Sequence, residues 1–183
     1  VVFARNACLK FIKLKTPKYI AFIDDDCTFD KYWMINVFKL INKFKADVVT
    51  GPQLYKTSNS TDSKTNFTKF FEKNYNKKVL QVNWAATNNV FFKFELIRKT
   101  NLRFDEKLNK FGMGEDQLFF SQLSKKGKKI YWSEKVKVTE TTHNHRLNLK
   151  WLINRSYRLG ILGNHVDKKI YGNLFGLFIN FLK

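Results

Sequence analysis

The sequence predicts an α/β fold. Three observations carry this. Helix-period and strand-like segments alternate along the first fifty residues, a turn signal separates each from the next, and 44% hydrophobic residues with 19 Phe give 183 residues enough apolar mass for one domain core.

Phe3, Ala7, Cys8, Phe11, Ile12 and Lys15 recur at helical spacing, and Thr16-Pro17 closes that segment. Tyr19 to Ile23 is a short continuous apolar run of the kind buried in a parallel sheet. Asp24, Asp25 and Asp26 follow at its carboxyl end, the edge where open α/β sheets bind ligands. Residues 31–45 return to helical spacing through Trp33, Val37, Phe38, Ile41 and Phe44. Asp47 to Thr50 then reads as a strand ended by Gly51-Pro52. The polar stretch KTSNSTDSKTN, residues 56–66, marks a surface loop before a helix over 67–77. Apolar runs at Leu80 to Trp84 and Asn89 to Phe94, a short helix near Glu95 to Lys99, and a Gly-containing loop from Asp105 to Gly114 come next. A helix opens at Glu115 and closes at Lys125-Lys126-Gly127. Strands are expected at Ile130 to Trp132 and Val136 to Thr139, and an amphipathic helix from Asn148 to Gly163.

The formal net charge is +19, and the six Arg among 34 basic residues leave 28 Lys. Readers of phosphate favour the Arg fork, so this Lys-rich balance fits either a solvated surface or attraction to an anionic membrane face or polyanion. Cys8 and Cys27 have no CxxC spacing and argue for a reducing compartment. The final run IYGNLFGLFINFLK is shorter than a membrane span and reads as a core helix, an interfacial helix or a truncated span.

Three constellations carry chemistry. On an extended segment residues i and i+2 point the same way, so Asp24 and Asp26 can face one Mg²⁺ or Mn²⁺ while Asp25 points away. A divalent ion would relieve their mutual repulsion and bridge a diphosphate, whereas the plainer reading is an acidic turn capping the next helix. Glu115 and Asp116 begin a helix after Gly112-Met113-Gly114. Capping accounts for one of them, and a carboxylate beside a metal site could serve as general base. Arg155 and Arg158 share a helix face, where they could grip a phosphate or form an interfacial basic stripe. His143 and His145 read as exposed turn histidines and are left out of the metal site.

These pieces in this order resemble the family 2 glycosyltransferases of the GT-A fold, especially bacterial enzymes that build exopolysaccharide or other surface glycans on lipid carriers. ARNACL is similar to the segment after the family's first nucleotide-binding half, and FIDDDC to its DXD motif. TNNVFFK and FDEKLNKFGMGEDQLFFSQLSKKGKKI are similar to its acceptor-side loop and ED helix. VTETTHNHR and WLINRSYRLG are similar to its E…R and RxxRxG elements. The resemblance runs from about Ala4 to Gly160. The family's opening strand has no counterpart here, so the N-terminal nucleotide-binding half is expected to be truncated.

The resemblance implies a GT-A mixed sheet flanked by helices, with residues 1–142 a partial catalytic domain and 143–183 a helical, membrane-proximal segment. It implies transfer of a sugar from a UDP- or GDP-sugar to a glycan or lipid-linked acceptor, with inversion. Asp24 and Asp26 would hold the metal, and Asp116 would act as base with Glu115 beside it. Arg5, Asp24, Asp25, Asp26, Arg155 and Arg158 would bind the donor, and Trp84 and Asn88 the acceptor, with Trp84 equally readable as a core residue. A cytoplasmic enzyme, peripheral on the inner membrane face and without a specific nucleic-acid partner, is expected. A basic nucleic-acid-binding module and a divalent-metal phosphotransferase or nuclease are the alternatives.

Overall fold

The computed structural model describes residues 1–57, 77–142, 146 and 148–172. Most of the polar stretch 56–66, the helix expected over 67–77 but for Lys77, His143, His145 and residues 173–183 lie outside the described residues. The elements are α1 (Val2–Lys13), β1 (Tyr19–Ile23), β2 (Cys27–Phe29), α2 (Trp33–Phe44), β3 (Val48–Thr50), β4 (Gln53–Thr57), β5 (Val79–Val82), β6 (Asn89–Lys93), α3 (Glu95–Thr100), a 3₁₀ helix (Glu106–Phe111), α4 (Glu115–Lys125), β7 (Ile130–Ser133), β8 (Val138–Thr142) and α5 (Leu149–Tyr171).

Five strands form a mixed sheet in the order β1-β6-β3-β7-β5, and β2-β8-β4 form a smaller one. Only β3 and β7 run parallel in the larger sheet. β1 is an edge strand, antiparallel to β6 from Tyr19 opposite Lys93 to Ile23 opposite Asn89, which corrects the parallel expectation. A five-residue apolar run reports burial but not the direction of its neighbour. Its edge position also leaves Ala21 exposed.

The period-2 alternation of strands divides the interior into two cores. Val90 and Phe92 of β6 and Val48 of β3 face one side, where Val2 and Leu9 of α1 and Phe119, Phe120 and Leu123 of α4 cover them. Phe91 and Val49 face the other side, against Trp33, Val37, Leu40 and Ile41 of α2. Each such aromatic or aliphatic burial contributes about 1.5–3 kcal/mol. A third cluster joins Leu108 and Leu118 to Leu162, Val166 and Ile170 of α5, so α5 packs on α4. Lys169 pairs with Asp105 at the same junction. α5 runs eight residues beyond the expected end at Gly163 because this apolar face continues to Ile170.

Asn89 is 1% exposed and satisfies both ends of its amide. Its Oδ1 accepts from the Trp33 indole at 2.9 Å, and its Nδ2 donates to the carbonyls of Val136 at 2.6 Å and Pro52 at 3.3 Å. That one side chain ties α2 to the loop after β3 and to the approach to β8. Gly51 lies at the same junction, and a Cβ built there would overlap the Val136 carbonyl. Gly51→Ala is therefore expected to lower stability by about 3 kcal/mol, the upper range for overpacking, in a urea titration. A loss under about 0.5 kcal/mol, typical of surface changes, would show that the loop yields freely.

Candidate functional site

The aspartate triplet occupies a tight turn rather than an extended segment: Asp25 and Asp26 form its corner, and the Cys27 amide donates to the Asp24 carbonyl at 3.0 Å. This corrects the i, i+2 argument, although Asp26 still acts on Asp24 more strongly than Asp25 does. In the turn that leads into α2 it is Asp30 whose carboxylate accepts, from the Tyr32 amide at 2.8 Å, and no side chain caps the helix itself. The triplet is left without that structural duty.

The turn is held over β8 by the small sheet. Cys27 registers with Glu140, and the Thr141 amide donates to the Asp26 carbonyl at 3.1 Å. Asp26, Cys27 and Glu140 thereby bring one ligand atom each within 4.8 Å of one another. Burial raises the Glu140 pKa, Asp26 adds to the rise, and Arg146 and Arg155 oppose it. Burial likewise raises Asp24, against the pull of Arg5 and with a further push from Asp26 and Asp25. The Cys27 thiol is pushed up to about 12, first by burial and then by Asp26, Glu140 and Asp24. Two of these three donors are carboxylate oxygens, which match the preference of Mg²⁺ or Mn²⁺, while a thiol is a softer donor. The residues present therefore fit a hard divalent cation on oxygen donors.

Arg5 of α1 links the turn to α4. Its guanidinium pairs with Asp24 at 3.6 Å and with Glu115, which is 4% exposed. Gly112 and Gly114 both have positive φ, 64° and 88°, so the Gly-Met-Gly approach uses conformations that L side chains rarely adopt. α4 then starts with Glu115 turned inward against Arg5. Asp116 beside it accepts from the Gln117 amide at 2.7 Å and the Thr87 amide at 3.4 Å. Burial raises the Asp116 pKa to about 6, with the Glu115 charge adding to the effect and the two amides and Arg5 opposing it. A carboxyl tuned to that range can exchange a proton near neutral pH.

The remaining expected residues fall at different distances from this centre. Asn88 donates to Gln53, Gln53 donates to Glu140, and Arg146 donates to Glu140 at 2.8 Å, so Asn88 reaches the acidic cluster through a chain of side chains. Sequence patterns do not single out Gln53, and they mark Glu140 only by its place inside the E…R element. Trp84 is half-buried against the first core. Arg155 lies over the Trp151 ring at 5.2 Å and close enough to Glu140 to act on it. Arg158 is exposed and donates to the Phe111 carbonyl. A cavity of about 490 Å³ bordered by Lys18, Tyr19, Phe94 and Arg98 lies at the opposite end of β1 from the carboxylates.

Residues 3–103 match the family described as Glycosyl transferase family 2. Among solved structures, the chain is similar to S. aureus TarS 1-349 in complex with UDP-GlcNAc, at 16% identity and a TM-score of 0.51 over 95% of this chain and 52% of that one. It is similar to S. aureus TarS at 16% identity and a TM-score of 0.52, over 95% of this chain and 28% of that chain. A197 from STIV is 18% identical with a TM-score of 0.49, over 78% of this chain and 76% of that one. The TarS likeness shows a GT-A fold, and this chain spans about half the length of TarS 1-349. No curated protein matches the chain significantly by sequence.

A carboxyl whose folded pKa exceeds its unfolded value costs stability wherever it must ionise in the fold. For Asp116 that cost is absent below about pH 4, grows as pH rises from 3.8, and is complete above about 6. Asp116→Asn is expected to raise unfolding stability at pH 8 by about 1–2 kcal/mol, with the gap closing by pH 4. Urea titrations at the two pH values check this, and an unchanged or reversed difference would show that Asp116 ionises without penalty.

Proposed function

The chain belongs to glycosyl transferase family 2, and on that footing we propose that it moves a sugar from a UDP- or GDP-sugar to a hydroxyl of a glycan or lipid-linked acceptor. The observation that carries this reading is Asp116: half-buried, held by two backbone amides, with a pKa raised to about 6, and one residue from the Glu115 that Arg5 ties to the aspartate turn.

Asp116 takes the proton from the acceptor hydroxyl as that oxygen attacks the anomeric carbon, inverting its configuration. Its two amide donors fix the carboxylate without neutralising it. Asp26 and Glu140, whose oxygens the structure brings together beside Cys27, would hold Mg²⁺ or Mn²⁺ with Asp24 at the start of the same turn, and the ion when bound supplies positive charge to the departing diphosphate. Arg5 holds Asp24 and Glu115 in place, and Asp25 lies on the solvent-facing corner of the donor turn. Arg155 faces the diphosphate side through its proximity to Glu140. Arg158 closes the 3₁₀ helix that leads to the glycines before Glu115, a supporting role for the same site. Asn88, through Gln53, and Trp84 border the acceptor side. Residues 1–142 would carry catalysis, and 143–183 would form a membrane-proximal helical segment of a cytoplasmic enzyme that builds surface glycans in a bacterium.

The test is release of UDP or GDP from sugar nucleotides in the presence of Mg²⁺ or Mn²⁺ and a sugar acceptor. Asp116→Asn is expected to lower turnover by about 10²–10⁴-fold while the protein stays folded. Turnover of the native chain should rise with pH through about 6, as the base loses its proton. Equal turnover in Asp116→Asn, or phosphodiester cleavage in place of sugar transfer, would overturn the proposal.

A further inference from the structure

α5 has two unlike faces. Leu162, Val166 and Ile170 are buried against α4 and the 3₁₀ helix. On the opposite side Leu149, Ile153, Tyr157 and Ile161 recur every four residues, 44–69% exposed, and form a stripe about 18 Å long. Lys150 and Lys168 fall on the same face by helical spacing, and Arg158 flanks it. The helix carries Lys150, Arg155, Arg158, Lys168 and Lys169 against a single acid, Asp167, which is buried. Its exposed surface is therefore apolar and cationic with no carboxylate.

From this face we infer that α5 docks on an anionic lipid bilayer, lying in the plane of the headgroups. An apolar stripe edged by lysines, on a helix of modest overall hydrophobicity, is the pattern of an interfacial helix. The lysine stems can lie along the apolar boundary while their ammonium groups reach lipid phosphates. The net charge of +19 makes the whole chain complementary to such a surface. Among the described residues no helix is long and apolar enough to cross a membrane, so the contact is peripheral along this helix. The biological sense of the inference rests on the proposed lipid-linked acceptor: the buried side of α5 packs on α4, which carries Asp116, so docking fixes the base relative to the headgroup plane.

Sedimentation of the full chain with phosphatidylglycerol-containing vesicles tests this without reading turnover, so it can fail while sugar transfer stands, and the reverse. The native chain should bind anionic vesicles and not pure phosphatidylcholine. Ile153→Glu combined with Tyr157→Glu should weaken that binding by about tenfold or more, with an unchanged circular dichroism melt. Lys150→Ala with Lys168→Ala provides a second route and should weaken binding at low salt but not at high salt. Ile35→Glu, an equally exposed site on α2, should bind as the native chain does. Equal binding to neutral vesicles, undiminished binding in both double variants, or self-association of the native chain that the Ile153/Tyr157 pair abolishes would each overturn the inference. The last outcome would assign the stripe to a contact between copies of this chain.

Discussion

Arg5 reaches two carboxylates that the chain supplies from remote places, Asp24 at the end of β1 and Glu115, 110 residues away from Arg5, at the start of α4. Both α1 and α4 cover the same face of the sheet, so the guanidinium joins two helices and a strand end at one point. Glu115 is nearly enclosed, and an enclosed carboxylate left alone would cost several kcal/mol. Arg suits the position because its charge is permanent and its flat donor fork can address two acceptors at once. The geometry of the site follows from that pairing: once Glu115 is turned toward Arg5, Asp116 must project elsewhere, toward the amides of Thr87 and Gln117.

A second constraint sets the depth of the acidic turn. The small sheet lays β2 antiparallel to β8, and its register places Cys27 opposite Glu140. β4 runs parallel on the other side of β8, bringing Gln53 onto the Glu140 carboxylate. Asn89 holds these pieces to α2 and to the main sheet through three hydrogen bonds, each to a different segment. The acidic group is thus assembled by strand register and one buried amide rather than by a contiguous motif. In a chain of formal charge +19, burial first and neighbouring carboxylates second raise the pKa of Asp24 and Glu140, and carboxylate oxygens brought together in this way favour a hard cation.

The parts of this arrangement that sequence reading could find are those written in short-range patterns. Helical spacing marks α1, α2, α4 and α5, and the glycines before Glu115 announce a loop that needs positive φ. The aspartates and the Glu115-Asp116 pair are visible as chemistry because they are dense and sit at element ends. The direction of β1 is not visible, since Tyr19 to Ile23 would read the same beside a parallel or an antiparallel neighbour. Glu140 and Gln53 are hard to see for a different reason: each is one of several polar residues in a short strand, and its meaning comes from a partner 87 residues away. Arg155 and Arg158 show the limit of spacing arguments. Their offset is correct for one helix face, yet Arg158 is drawn to a backbone carbonyl that only the tertiary fold brings near.

Adjacent carboxylates on α4 end in opposite roles because their surroundings differ. Glu115 has a cation against it, and its charge is used to fix the helix start. Asp116 is half-buried with amide dipoles in contact; desolvation and then the Glu115 charge raise its pKa to about 6, against those amides and the more distant Arg5. The strain of keeping Asp116 ionised at neutral pH is borne by the fold, through the same Arg5 contact that holds Glu115 in place. A change at Arg5 would therefore act on stability and on the proposed base together, while a change at Asp116 separates them: the fold gains what the proposed proton transfer loses.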